Sequence, residues 1–207
     1  MAHGLPLHDH VSPKPVSPKP VSLKPVSLTN VSPEHLLLTG YRGCGKSTIG
    51  SLLAAGLSRN FVDTDLEIES KAGKSIAEIF SESGETGFRD LESWQIANLI
   101  SLPAPSVIAL GGGAIIRPEN RLGIRALGKT VWLQASSATI LHRIASDEST
   151  QSRRPKLSKL GHSDEIETIL STRIPWYKEV SDFVISTDES PMEHVVQSIL
   201  EWYQSQA

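Results

Sequence analysis

Gly-Tyr-Arg-Gly-Cys-Gly-Lys-Ser-Thr, residues 40–48, is the stretch of sequence that decides the fold. It matches the phosphate-loop pattern G-x-x-x-x-G-K-[ST] at Gly40, Gly45, Lys46 and Ser47. Glycines let the backbone turn its N–H groups towards phosphate oxygens, and the helix that follows adds the positive end of its dipole. We therefore expect Lys46 to reach the β- and γ-phosphates of a nucleotide and Ser47 to coordinate Mg²⁺.

The residues on both sides of this loop support the interpretation. Residues 35–39, His-Leu-Leu-Leu-Thr, form a short apolar run typical of a central parallel strand. After the loop, apolar residues recur at helical spacing, namely Ile49, Leu52, Leu53 and Leu57. Strand, glycine-rich turn and helix together predict a nucleotide-binding α/β domain. Cys44 occupies a variable position and is expected to fill space rather than to act as a nucleophile.

Composition limits the possible classes of protein. The 207 residues include one cysteine, so the chain cannot form an internal disulfide, which suits a reducing cytosol. No apolar run approaches the roughly 20 residues of a membrane helix. The first ten residues lack the basic and then apolar pattern of a secretion signal. We expect a cytoplasmic protein with no membrane partner.

Residues 11–33 repeat a degenerate five-residue unit of the type Val-Ser-Pro-Lys-Pro. Its prolines exclude a helix, and we expect residues 1–33 to form a disordered tail. A docking peptide and an unselected linker remain open as its role. The tail holds three lysines and one aspartate, so the net charge of −3 for the whole chain leaves −5 for residues 34–207. An acidic body is a poor surface for nucleic acid.

Four further strands are predicted near residues 60–62, 107–110, 130–133 and 182–185, with helices between them. The clearest helical patterns cover residues 75–80, 85–100, 137–145, 164–172 and 192–203. Strands that alternate with helices predict a five-stranded parallel sheet with helices on both faces. We expect residues 34–207 to form one three-layer α/β domain.

Two aspartates follow the second predicted strand. An extended chain would place Asp63 and Asp65 on the same side, with Thr64 pointing the other way. Beside a triphosphate, one carboxylate can hold Mg²⁺ through water while the other takes the proton of an acceptor hydroxyl. Helix capping by the aspartates is the alternative.

Three other features concern the ligands of this site. Gly111-Gly-Gly113 would place bare backbone at the carboxyl end of a strand, where open α/β sheets bind ligands. Arg89 lies near the start of a predicted helix, where the dipole disfavours a cation, although a surface salt bridge is the default explanation. The polar residues 147–165, with Arg153-Arg-Pro-Lys156 in their middle, predict either a lid over phosphates or a solvated charge run.

Taken together, these motifs resemble shikimate kinase over residues 34–207. The resemblance rests on the phosphate loop, Asp63-Thr-Asp65, Phe88-Arg89, Gly111-Gly-Gly113, Arg154-Pro155 and Arg173-x-Pro-x-Tyr177. It implies a P-loop fold of the nucleoside-monophosphate-kinase type, with a five-stranded parallel sheet and a mobile lid at about residues 147–165. It also implies transfer of the γ-phosphoryl group of ATP to the 3-hydroxyl of shikimate, with Mg²⁺.

The resemblance implies a role for each matching residue. The ATP-binding residues would be Gly43, Cys44, Gly45, Lys46, Ser47, Thr48, Arg143 and Arg154. The metal contacts would be Ser47 and Asp63. The shikimate-binding residues would be Asp65, Arg89, Gly111, Gly112, Gly113 and Arg173. Asp65 would be the base, with Lys46 and Arg154 completing the catalytic set.

This sequence departs from the family pattern in the predicted lid. Lys156 precedes Leu157 where two aliphatic residues usually follow the lid Arg-Pro, and the stretch between Arg143 and Arg154 is longer than the family pattern. The alternatives are another small-metabolite kinase of this fold, such as a gluconate kinase, and a non-catalytic nucleotide-binding module. We expect a monomer whose partners are ATP and shikimate, without nucleic acid.

Overall fold

The computed structural model describes residues 34–146 and 162–206, and its centre is a sheet of five parallel strands. The strands are β1 (His35–Thr39), β2 (Asn60–Asp63), β3 (Ser106–Ala109), β4 (Gly128–Gln134) and β5 (Phe183–Ser186), in the order β2-β3-β1-β4-β5. The helices are α1 (Lys46–Leu57), α2 (Thr64–Ala72), α3 (Ile76–Leu99), α4 (Pro118–Leu127), α5 (Ser137–Ser146), α6 (His162–Val180) and α7 (Met192–Gln204). Within these described ranges, no helix is long and apolar enough to cross a bilayer.

Strand β1 shows why the domain has three layers. It is buried along its whole length between β3 and β4, so both of its faces must be covered. Leu36 and Leu38 belong to a core on one face with residues of α1 and α7, while Leu37 belongs to a second core with residues of α3 and α4. This alternation confirms the predicted fold class, a parallel sheet with helices on both faces.

All five strands lie within two residues of their predicted positions, but several helices differ from the expectation. The two helices predicted at 75–80 and 85–100 are joined as α3, with a break at Gly84 (φ 66°, ψ −172°). The capping box predicted at Ser75 and Glu78 is present. Helix α4 was not predicted, and α2 was expected only under the capping alternative for the aspartates after β2. Pro118 lies in the first turn of α4, where a missing N–H is tolerated.

The predicted end of a helix at residue 172 is wrong. Helix α6 continues to Val180 and carries Pro175 in its interior. A proline there removes one backbone hydrogen bond. The packing of Tyr177 and Val180 into the second core accompanies this continuation. As a result Arg173 lies on a helix and not in a loop.

Two predicted regions lie outside the described residues. They are the tail, residues 1–33, and residues 147–161 of the predicted lid, which include Arg154 and Lys156. Both stay predictions.

Candidate functional site

The loop between β1 and α1 has the backbone geometry that its glycines predict. Gly43 and Gly45 adopt left-handed conformations, with φ of 80° and 97°. The ammonium group of Lys46 donates hydrogen bonds to the carbonyl oxygens of Gly40 and Tyr41, both at 2.9 Å. The loop therefore curls around a cation and leads directly into the N-terminus of α1, which is the arrangement that binds phosphate.

Asp63 joins this loop to helix α2. Its Oδ2 accepts a hydrogen bond from the Ser47 hydroxyl at 2.7 Å, while its Oδ1 accepts from the backbone N–H groups of Asp65 (3.0 Å) and Leu66 (3.4 Å). Asp63 is thus the N-cap of α2, as the capping alternative proposed, and also a partner of the phosphate loop. The expectation of an extended chain through Asp65 is wrong, because the helix begins at Thr64.

The Ser47 and Asp63 oxygens suit a magnesium ion. A hydroxyl and a carboxylate are hard donors, and Mg²⁺ is usually held by one or two such groups together with waters and substrate phosphates. No cluster of three or more His, Cys, Asp or Glu residues able to hold a metal occurs in the described parts of the chain. The donor set therefore fits a metal that arrives with a nucleotide.

A cavity of about 650 Å³ opens above the phosphate loop. Its walls include residues 42–49, Asp63, Asp65 and Arg143. Arg143 on α5 donates hydrogen bonds to the hydroxyl of Thr187 at 3.0 Å and to the Gly43 carbonyl at 3.4 Å. Arg143, which the resemblance assigns to the adenine side, therefore adjoins both the phosphate loop and the segment after β5.

Surrounding side chains leave little room for a Cβ at two of the three glycines after β3. A Cβ on Gly111 would lie 2.6 Å from Oδ1 of Asp65 and 2.9 Å from Oε1 of Glu92. A Cβ on Gly113 would overlap the guanidinium group of Arg89. Because these glycines have no side chains, Asp65 and Arg89 can both approach the same loop.

Gly112 provides the contact to helix α6. Its carbonyl oxygen accepts hydrogen bonds from Arg173 at 3.1 Å and from the Tyr177 hydroxyl at 2.7 Å. These residues are four apart on one helix, so they lie on the same face. Burial raises the pKa of Tyr177, which keeps its hydroxyl protonated as a donor. We call Gly111–Gly113 with Arg89, Glu92 and Arg173 the glycine-loop cluster.

Arg89 and Glu92 form the buried centre of this cluster. The side chain of Arg89 is 8% exposed and lies 2.5 Å from the Glu92 carboxylate, which is 2% exposed. Arg89 also pairs with the exposed Glu85 at 3.1 Å. Burial raises the pKa of Glu92, and the nearby guanidinium groups of Arg89, Arg173 and Arg117 oppose that rise. Arg89 therefore does form salt bridges, as the default explanation proposes, but its pair with Glu92 is buried instead of lying at the surface, and that pair faces further cations.

Sequence reasoning missed Glu92 and Arg117. Glu92 lies three residues after Arg89 on a predicted helix, and this spacing is a readable sign of pairing. Arg117 is the N-cap residue of α4 and pairs with Asp90 at 2.7 Å. No motif in the sequence indicates its approach to Glu92.

Asp65 connects the two parts of the site. It lines the cavity above the phosphate loop, and it contacts the position of Gly111. Arg89, Gly111–Gly113 and Arg173 are not among the residues that line this cavity, and they lie beyond Asp65. The structure thus gathers the predicted residues at one edge of the sheet, apart from Arg154, which lies outside the described residues.

Comparison with known proteins gives one consistent result. The family model described as shikimate kinase matches residues 42–204. The shikimate kinase of Rhodopirellula baltica is 45% identical over 170 residues, which are 82% of this chain and 90% of that protein. The shikimate kinase of Pseudomonas syringae pv. syringae is 44% identical over 80% of this chain and 94% of its own length.

Solved structures agree with these relatives. The shikimate kinase of Acinetobacter baumannii in complex with shikimate superimposes with a TM-score of 0.77 at 34% identity, covering 85% of this chain and 96% of that one. The shikimate kinase of Bacteroides thetaiotaomicron gives a TM-score of 0.72 at 30% identity, covering 83% of this chain and 98% of that one.

Proposed function

Because this chain belongs to the shikimate kinase family, we propose that it transfers the γ-phosphoryl group of ATP to the 3-hydroxyl of shikimate, giving shikimate 3-phosphate and ADP. The observation that best supports this reaction is the position of Asp65. Its carboxylate lines the cavity above the phosphate loop and contacts the glycine-loop cluster. A group placed there can meet both the acceptor hydroxyl and the transferring phosphoryl group.

The acceptor is held by its carboxylate. Arg89 and Arg173 approach the same glycine loop from α3 and α6. Guanidinium groups bind carboxylates through two parallel hydrogen bonds, which fix orientation as well as position. Glu92 holds Arg89 through the buried ion pair and acts as a positioning residue. The ring of shikimate then lies over the bare backbone of Gly111–Gly113.

Asp65 is the base in this reaction. It accepts the proton of the 3-hydroxyl as the hydroxyl oxygen forms a bond to the γ-phosphorus. The bond between that phosphorus and the β,γ-bridging oxygen breaks, and ADP leaves with the electron pair. Little other covalent chemistry is needed, because positioning and charge stabilisation supply most of the catalysis in phosphoryl transfer.

The phosphate loop holds the nucleotide. Its N–H groups face the phosphates, and Lys46 exchanges its carbonyl partners for β- and γ-phosphate oxygens. Ser47 and Asp63 would hold Mg²⁺, which neutralises charge on those oxygens when it is bound. We assign Arg143 to the adenine side and Arg154 to the transferring phosphate. Monomeric state and cytoplasmic location stay predictions.

An assay of ADP release with two acceptors tests the proposal. Purified protein with ATP and Mg²⁺ should release ADP when shikimate is added, and should not do so with gluconate, which also carries a carboxylate. The product should be a monophosphate ester of shikimate by mass spectrometry. Turnover with gluconate alone would establish a different kinase, and no turnover with either acceptor would favour a non-catalytic nucleotide-binding protein.

A further inference from the structure

Arg42 occupies a variable position of the phosphate loop, four residues before Lys46. Arg42 lines the same cavity as Lys46 and Asp65. Its backbone nitrogen lies 3.3 Å from the point where a Cβ on Gly112 would stand. Arg42 is therefore located where the phosphate loop contacts the glycine-loop cluster.

The guanidinium group of Arg42 has an unused donor. Its Nε is buried and has no hydrogen-bond acceptor among residues 34–146 and 162–206. Other arginines of the site are held by protein oxygens: Arg89 by Glu92, Arg143 by Thr187 and Arg173 by Gly112. A buried donor on a charged group without an acceptor is unfavourable, and an anionic ligand removes that penalty.

The neighbours of Arg42 indicate which anion it meets. The guanidinium carbons of Arg42 and Arg173 both lie 5.9 Å from the centre of the Tyr41 ring. Arg42 and Arg173, a cation of the glycine-loop cluster, therefore both adjoin Tyr41 of the phosphate loop. The acceptor carboxylate already has two guanidinium partners in that cluster. The group that passes between the two regions is the phosphoryl group itself.

We propose that Arg42 is a catalytic residue that donates hydrogen bonds to the phosphoryl group during transfer, an inference that rests on the proposed function. As Asp65 takes the hydroxyl proton, the new bond from the acceptor oxygen to phosphorus forms and the bond to the ADP oxygen breaks. Negative charge spreads over the three equatorial oxygens. The guanidinium group of Arg42 remains protonated throughout and stabilises that charge.

Steady-state kinetics of two variants test the assignment. Arg42→Met should lower kcat by about 100-fold, as removal of a donor to a transition-state oxygen does. The KM values for ATP and shikimate should change less than about threefold, because the contact forms mainly in the transition state. Arg42→Lys, which keeps the charge, should recover part of the kcat. Arg125→Met changes the same charge at an exposed position of α4 and should leave kcat and both KM values unaltered.

Other outcomes of these kinetics would overturn the proposal. A raised KM for shikimate with an unaltered kcat would place Arg42 on the carboxylate. A raised KM for ATP alone would make it a ground-state phosphate contact. Unaltered kinetics would leave it without a role in the reaction. Thermal unfolding of each variant checks folding, and Arg42→Gln serves the same test if Arg42→Met does not fold.

A binding measurement separates this proposal from the proposed function. ADP with aluminium fluoride and Mg²⁺ mimics the planar transferring phosphoryl group and requires no turnover. Arg42→Met should weaken binding of that mixture by about 30-fold or more, while binding of ADP alone changes less than threefold. Equal losses for both would overturn the role of Arg42, even in a protein that does not phosphorylate shikimate. Absence of shikimate turnover in the unaltered protein would refute the proposed function alone.

Discussion

The phosphate loop and the glycine-loop cluster meet at Asp65, but the chain builds them in different ways. The phosphate loop is nine consecutive residues with its own turn and helix start. The cluster collects Arg89 from α3, three glycines from the loop after β3, and Arg173 from α6. The loop after β3 adjoins the phosphate loop because β3 lies beside β1 in the sheet. One half of the site is therefore local, and the other half depends on the tertiary fold.

This difference has a consequence for substitutions. A change within the phosphate loop should alter nucleotide contacts directly, whereas a change in the cluster should act on the acceptor through displaced neighbours. Asp65 lies between the two and should show the largest effect on turnover.

The first prediction concerns this shared residue. Asp65→Asn should lower kcat by about a thousandfold, since an amide cannot take the hydroxyl proton. Binding of ATP, measured by calorimetry, should remain close to that of the unaltered protein. Asp164→Asn removes an exposed carboxylate on α6 and is the matched control. Unchanged turnover in Asp65→Asn would show that another group is the base.

The second prediction compares the buried and the exposed carboxylate partner of Arg89 in the glycine-loop cluster by their effects on stability. Glu92→Gln should destabilise the fold by about 3 kcal/mol in urea unfolding, because it removes one partner of a buried ion pair. Glu85→Gln removes the other carboxylate partner of Arg89, which is 60% exposed, and should cost less than about 1 kcal/mol. Equal losses in the two variants would contradict the claim that burial distinguishes these pairs.

The third prediction tests whether the cluster acts only on the acceptor. Gly113→Ala places a Cβ against the guanidinium group of Arg89. The end of a flexible side chain can move, so the protein should fold, but the KM for shikimate should rise about tenfold or more. The KM for ATP should not change. Gly123→Ala in α4 provides a control glycine outside the site. A matching rise in the KM for ATP would show that the two halves are not separate.

The smallest predicted effect is at the amino ends of the strands, the end of the sheet opposite to the site. His35, at the start of β1, accepts a hydrogen bond from the Ser106 N–H through Nδ1. Burial, together with the charge of Arg59, lowers the pKa of His35 below its usual value. The unfolded chain then binds a proton that the folded protein does not. The contribution of His35 to the free energy of unfolding is complete above about pH 6.5, the pKa of histidine in the unfolded chain. It declines as the pH falls towards the lower pKa of His35 in the folded protein.

Unfolding free energies between pH 5 and 7.5 measure this effect. The slope attributable to His35 should not exceed about 1.4 kcal/mol per pH unit, the limit for one proton. His35→Asn retains a hydrogen-bond acceptor without the titration and should give a flatter profile. A steeper profile in the variant would contradict the assignment. The dependence of KM on pH should be the same in both proteins, since His35 is far from the site.

The strands were predictable because a buried parallel strand is a short apolar run bounded by polar residues. The helices were less predictable where a local signal competed with packing. Pro175 suggested an end to α6, but that helix continues and Tyr177 is buried in the core. The aspartates after β2 suggested an extended chain, but Asp63 ends the strand and caps α2. In both places the outcome depends on contacts made by residues distant in sequence.

In the site, too, residues with a local sequence signal were predictable, and residues that depend on distant contacts were not. The residues of the phosphate loop were identified from a nine-residue motif. Arg89 and Arg173 were identified through the family resemblance, and in the structure both lie against the glycine loop. Arg117 and Arg42 carry no such signal. Their significance depends on the three-dimensional neighbours of each guanidinium group, Glu92 for the first and Tyr41 with Gly112 for the second.

The divided role of Asp63 has one more consequence. Its two carboxylate oxygens are engaged by different elements, Oδ2 by the Ser47 hydroxyl and Oδ1 by the first N–H groups of α2. A cation that draws Oδ2 and Ser47 towards itself leaves the Oδ1 bonds in place. Under the proposed function, helix α2, which carries the proposed base Asp65, therefore keeps its N-cap when the nucleotide and its metal bind. We expect exchange of ATP for ADP to leave the start of this helix in place between turnovers.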